Sequence, residues 1–227
     1  MGKIISIVNP KGGIGKSTLT LCLCSLFNNS CIIDQDPQGS IWNWYIERKL
    51  IFNDQKNNDP RVEFYGNEEL TPDILEDYVN RFTNVFIDCP GESEAGGKTR
   101  TALVYSDLVI IPVKESEFDA NSLLDHLVPL LEDAAEANER GGQIVLLPAF
   151  VHPNASVEKT ITKFDPLQQT TLQAVFRYRK VYEKFSENGQ TLKEYSENAR
   201  FVNDRIQAGA ALDDLLEIVI QMVQFLK

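Results

Sequence analysis

Residues 9–18 read Asn9-Pro10-Lys11-Gly12-Gly13-Ile14-Gly15-Lys16-Ser17-Thr18, directly after the apolar run Ile4-Ile5-Ser6-Ile7-Val8. A strand that feeds a glycine-rich turn and then a helix is the arrangement that wraps a polyphosphate. Gly12, Gly13 and Gly15 remove Cβ atoms where backbone N–H groups must point inward at the ligand. Lys16 then neutralises the β and γ phosphates, and Ser17 offers a hydroxyl to Mg²⁺. Ile14 completes the loop, and Thr18 with the first helical turn aims N–H groups and the helix dipole at the anion. A glycine-rich turn without a ligand would leave the register of strand, loop, two lysines and helix without a reason.

In the ordinary phosphate-loop pattern, Gly-x-x-x-x-Gly-Lys-Ser/Thr, the first glycine would fall at Pro10, and a second lysine, Lys11, follows it. With that departure the chain resembles the ParA/MinD family of P-loop ATPases, whose deviant Walker A motif is Lys-Gly-Gly-x-Gly-Lys-Ser/Thr. The resemblance implies ATP and Mg²⁺ as cofactors. It also implies a homodimer that sandwiches two nucleotides, with Lys11 reaching the phosphates bound by the opposite subunit.

Cys31-Ile32-Ile33 reads as a short buried strand delivering Asp34-Gln35-Asp36-Pro37-Gln38-Gly39-Ser40 to the carboxyl edge of a sheet, where ligands of open α/β sheets collect. Asp-x-Asp-Pro-Gln resembles the family's Walker A′ motif, which gives Asp36 a place beside the attacking water. A structural role for Asp36, as N-cap of a helix starting near Ser40 or as a turn residue before Pro37, is compatible with that. Asn84-Val85-Phe86-Ile87-Asp88 is an apolar strand ending in a carboxylate, the pattern of a Walker B motif, with Asp88 holding Mg²⁺ through water. Pro90-Gly91 opens a glycine-containing stretch through Gly96-Gly97 that reads as a switch loop sensing the γ-phosphate. Asp107–Val113 predicts a further strand, Asp119 to about Arg140 a long helix, and Gln143–Pro148 another strand. The segment Pro148–Pro153 stands where family members contact adenine.

Alternation of short apolar strands with helical segments predicts a three-layer α/β sandwich, a mostly parallel twisted sheet with helices on both faces. The 227 residues fit a single domain over 1–227, with the polar stretch 53–60 as an internal surface loop and no internal repeat. Cys22, Cys24, Cys31 and Cys89 all fall in segments expected to be buried and make no Cys-x-x-Cys pair. They read as reduced core residues. An iron–sulfur role of the nitrogenase iron protein type would need two downstream cysteines, and only Cys89 lies downstream. His126 and His152 are isolated. No apolar run approaches the length of a membrane span, and the first strand at Lys3 leaves no room for an N-terminal helix-turn-helix domain, so the expected location is cytoplasmic.

The formal charge of −11 argues against a surface coated with DNA-binding groups. A local exception is Arg177-Tyr178-Arg179-Lys180-Val181-Tyr182-Glu183-Lys184, with four basic residues and one acidic. It is either the solvated face of a helix or a nonspecific DNA patch that dimerisation would make bivalent. The resemblance to short partition ATPases favours Arg177, Arg179, Lys180 and Lys184 as DNA contacts. It implies association with the nucleoid when ATP is bound, and a cargo-bound centromere-binding or adaptor protein that stimulates hydrolysis. A MinD-like protein would instead carry a basic amphipathic C-terminal helix. Here Asp213, Asp214 and Glu217 oppose the single Lys227, so no membrane contact is expected. A metabolic P-loop ligase or kinase, or a scaffold that holds ATP without turning it over, are the other readings.

Overall fold

The computed structural model describes residues 1–52, 60–91, 96–114, 128–138, 140–152, 155–162 and 170–227. The parallel strands are β1 (Lys3–Ile7), β2 (Ser30–Asp34), β3 (Arg61–Phe64), β4 (Asn84–Asp88), β5 (Leu108–Val113), β6 (Gln143–Val151), β7 (Thr170–Thr171) and β8 (Phe176–Arg177). They form one sheet in the order β3-β2-β4-β1-β5-β6-β7, with β8 pairing β6 beyond β7. Strands β2 to β4 lie on one side of β1 and β5 onward lie on the other, so the winding reverses beside β1. That is where an open parallel sheet leaves a crevice at its carboxyl edge.

The period-2 alternation of each strand divides the core in two. Ile5, Ile7, Ile32, Phe86, Ile110, Val145 and Leu147 face one side, against α1 (Lys16–Cys24), α2 (Ser40–Phe52) and α9 (Val202–Phe225). The short helices α7 (Val181–Lys184) and α8 (Leu192–Asn198) join this layer through Val181, Tyr182 and Leu192. Ile4, Val8, Cys31, Ile33, Val85, Ile87, Val109 and Ile111 face the other side, against α3 (Pro72–Arg81) and α4 (Gly96–Tyr105). Helices α5 (Val128–Ala137) and α6 (Val157–Thr162) complete the described set. Two-sided burial explains why the strands read as continuous apolar runs. The expected three-layer sandwich is therefore the observed fold.

All four cysteines are buried and free, Cys22 and Cys24 in one core half and Cys31 and Cys89 in the other. Burial pushes their thiols up, that of Cys24 to about 12, so none is a thiolate at neutral pH. The last strand of the sequence reading is longer than expected, running to Val151 rather than ending at Pro148. The predicted helix start at Asp119, His126, and most of the switch loop between Gly91 and Gly96 lie outside the described residues.

Candidate functional site

The first loop after β1 is held open from below. Asn9, buried at its start, donates from Nδ2 to Pro112 O at 2.8 Å and accepts from Lys11 N at 2.7 Å, tying the turn to the end of β5. Gly13 (φ 69°) and Gly15 (φ 80°) take left-handed conformations that carry the chain around the loop and into α1. Gly15 is the N-cap of α1, no side chain caps that helix, and no acidic residue sits in its first turn. Its leading N–H groups and positive dipole end thus face the crevice.

Around this loop lies a cleft of about 640 Å³ lined by Pro10, Gly12, Gly13, Gly15, Lys16, Ser17, Thr18, Asp36, Pro37, Gln38, Ser40, Pro90 and Gly91. Three separate stretches of sequence meet there. Lys16 is buried, with Nζ donating to Lys11 O at 3.1 Å. Burial pushes its ammonium below the ordinary lysine value, while Asp88, Cys89 and Asp36 favour the charge.

Asp34 and Asp88 stand opposite each other in the β2–β4 register and both are fully buried. Burial raises Asp88 to about 7, with repulsion from Asp34 adding; Ser17, Lys16 and Thr20 pull the other way. Thr20 Oγ1 donates to Asp88 Oδ1 at 3.2 Å, whereas Oδ2 has no hydrogen-bond partner among the described residues. A buried carboxylate oxygen left without a donor, next to a hydroxyl-bearing helix start, fits a hydrated divalent cation and its phosphate. The residues present thus suit Mg²⁺.

Asp34 is the residue that motif reading passed over. Its Oδ2 accepts from Ile41 N (3.1 Å) and Trp42 N (3.0 Å), and its Oδ1 from Asp36 N (3.1 Å). The N-cap role allowed for Asp36 belongs to Asp34, because a carboxylate at the end of β2 points straight at the start of α2. Burial raises Asp34 to about 6 despite those three donors. Asp36 takes the turn position: its Oδ1 accepts from Gln38 N at 2.9 Å and its carbonyl from Gly39 N at 2.8 Å, leaving the half-buried carboxylate on the cleft wall.

A second feature, unread in the sequence, presses on the loop from the β6 side. Phe150 has φ 51° at the irregularity where β6 stops pairing β7 and starts pairing β8. This bulge re-aims its ring at the phosphate loop. A Cβ on Gly15 would lie 2.3 Å from Phe150 Cε2, so ring and loop are in contact only because residue 15 is glycine. Lys114, just past β5, sits 4.8 Å from the Phe150 ring centre and donates to Gly13 O at 2.9 Å. Lys114 and Phe150 clamp the loop tip between them.

None of the residues of the late basic run lines this cleft. Arg179 pairs with Asp214 at 2.7 Å, Arg177 approaches the same carboxylate at 3.9 Å, and Lys184 pairs with Asp204 at 2.9 Å. Lys180 is exposed. Nearby, buried Arg48 of α2 forms a two-pronged pair with Glu194 (2.7 and 3.0 Å) and donates to Gly189 O at 2.5 Å. Glu194 also closes a capping box with Thr191 at the start of α8.

Comparison with known proteins agrees with this geometry. The family model described as the CobQ/CobB/MinD/ParA nucleotide binding domain matches residues 5–224. The chain is 31% identical over 151 residues to the sporulation initiation inhibitor protein Soj of Bacillus subtilis, covering 50% of this chain and 59% of the relative. It is 26% identical over 171 residues to the chromosome partitioning protein ParA of Myxococcus xanthus, covering 58% and 60%. The chain thus spans about 60% of the length of these curated relatives. Among solved structures, a plasmid partition protein candidate from Borrelia burgdorferi B31, bound to AMPPNP, superposes with a TM-score of 0.65. At 20% identity over 98% of this chain and 100% of the other, this is a likeness of fold. Among the described residues, no helix is long and apolar enough to cross a membrane.

Proposed function

The chain belongs to the CobQ/CobB/MinD/ParA nucleotide-binding family, and from that premise we propose that residues 1–227 act as one ParA-like switch ATPase that positions or segregates DNA or another large cargo. The observation that carries this reading is that Lys16 and Asp36 line one cleft, with Asp88 buried behind it within electrostatic reach of Lys16, beside a loop bearing the second lysine Lys11. ATP is the nucleotide of the proposal. The loop N–H groups, Lys16 and the dipole of α1 would bind its phosphates, and Asp36 would orient the attacking water. Mg²⁺, held by the Ser17 hydroxyl and through water by Asp88, would neutralise charge on the phosphate oxygens. Lys11 would serve the nucleotide of a second copy, stabilising charge on the transferring phosphoryl group.

In this scheme two copies close around two ATP molecules, and an adaptor on the cargo completes the hydrolytic arrangement and releases the dimer. DNA would be the track, met at Arg177, Arg179, Lys180 and Lys184. Because Asp204 and Asp214 already pair with three of those cations, the contact would be weak in a single copy and would depend on dimerisation. Lys180→Glu tests it without breaking an ion pair: ATP-dependent binding to random duplex DNA should fall, and unchanged binding would remove DNA from the proposal.

The reading is tested by phosphate release from the wild-type chain and from Asp36→Ala. Loss of a water-orienting carboxylate should lower turnover by about a hundredfold or more while ATP binding is kept. Equal turnover in the two proteins would overturn the role given to Asp36.

A further inference from the structure

Helix α9 buries one side and exposes another that is also apolar. Ala208, Ala211, Leu215, Ile218 and Met222 are fully buried against the core. Across the helix, Val202, Ile206, Leu216, Ile220 and Val223 are 65%, 64%, 47%, 64% and 42% exposed. At about 100° per residue, positions 202, 206, 209, 213, 216, 220 and 223 form one stripe on the far side of the axis from the buried set. With Phe201 at the N-cap, this helix supplies six of the eleven large apolar side chains left exposed among the described residues. Scattered exposed apolar residues need no explanation, but a stripe about 30 Å long on one element marks a contact surface.

Its charges decide what can cover it. Asp213 lies in the middle of the stripe with exposed Glu217 beside it, exposed Arg205 edges its first turn, and Gly209 leaves a notch where an added Cβ would meet nothing within 4 Å. A membrane surface would place those carboxylates against anionic headgroups. A second copy, packed antiparallel about the middle of the stripe or parallel to it, would set Asp213 against Asp213. What fits is a helix with an apolar face and positive charges, laid along the stripe as amphipathic helices lie in grooves.

We propose that the outer face of α9, from Val202 to Val223, is a docking strip for a cationic amphipathic helix of another protein. Its apolar side chains cover Ile206, Leu216, Ile220 and Val223, and its lysines or arginines meet Asp213 and Glu217. No residue of the strip lines the nucleotide cleft, so the inference stands or falls separately from the ATPase reading.

The test uses a fluorescein-labelled amphipathic helix of leucine and lysine, about 20 residues long to match the stripe. Its binding is followed by anisotropy at roughly 0.15 M salt, where long-range attraction is screened. Leu216→Ser with Ile220→Ser, and separately Asp213→Lys with Glu217→Lys, should each weaken binding by about tenfold. Glu68→Lys with Glu69→Lys, the same charge change at exposed residues away from the strip, should not, and a leucine–glutamate helix should not bind. Equal weakening in the Glu68/Glu69 variant would reduce the interaction to net charge and overturn the proposal. So would unaltered binding in both strip variants. It also fails if the Leu216/Ile220 variant turns a nucleotide-free dimer into a monomer, or abolishes binding to phosphatidylglycerol vesicles, since the occupant would then be a second copy or a lipid surface.

Discussion

The phosphate-loop edge and the late region from Tyr178 to Phe225 are built on opposite principles. At the loop edge, each chemical group sits at the end of its own strand, so contiguous motifs carry it: Lys16 after β1, Asp36 after β2, Asp88 at the end of β4. In the late region no such run exists, and above its apolar contacts with the core the charged groups are placed by ion pairs between distant positions. Arg48 meets Glu194, Arg179 meets Asp214 and Lys184 meets Asp204. A motif can be read where the backbone itself places the group. A charge run cannot, because its meaning depends on which carboxylates fold back onto it.

The comparison is broken most forcefully at Arg48. Its side chain is 2% exposed, with the guanidinium two-pronged to Glu194 and over the rings of Trp44 and Phe52. Arg48→Ala removes the guanidinium from Glu194 and should cost about 3–5 kcal/mol of stability in urea unfolding. A cost under about 1 kcal/mol, as for a surface pair, would show that the late region is held by apolar packing instead.

The loop edge should respond to pH in the absence of magnesium and nucleotide. Asp34 at about 6 and Asp88 at about 7 both lie above the ordinary aspartate value of 3.8. Between about pH 4 and about pH 7 the folded chain therefore binds protons that the unfolded chain has released. Stability from these groups is complete below the unfolded value and is lost as pH rises through the folded ones. The fall is read by urea titration at the two ends of that window, and because the two carboxyls are coupled it belongs to the pair. Asp88→Asn should flatten the profile, and a wild-type stability that rises across the window would contradict the burial argument.

The smallest effect sharpens the comparison inside the loop edge. Lys114→Ala removes the Gly13 tether and the cation over Phe150. A single such hydrogen bond contributes about 1 kcal/mol. KM for ATP should rise by about fivefold with kcat unchanged; a fall in kcat alone would make Lys114 a participant in chemistry rather than a clamp.

The parallel sheet with helices on both faces and the strand ends that carry Lys16, Asp36 and Asp88 were legible because apolar runs and terminal carboxylates are local signals. Asp34 was quoted but not recognised: its cap on α2 spans seven to eight residues, and the familiar motif weights the second aspartate. Phe150 was hidden because a left-handed bulge is expected at glycine or asparagine, and nothing local announces it at phenylalanine. Arg48 carried no readable signal, since its partner lies 146 positions away. The run at 177–184 read as a basic patch because Asp204 and Asp214 belong to a helix that begins at Val202.

Sedimentation velocity of the wild-type and Asp36→Ala chains, each with MgATP, with MgADP and without nucleotide, tests the proposed switch most directly. The account predicts monomers with MgADP or no nucleotide, a dimer with MgATP, and a longer-lived MgATP dimer in Asp36→Ala. One unchanged mass in all three states, with nucleotide binding confirmed, would contradict it.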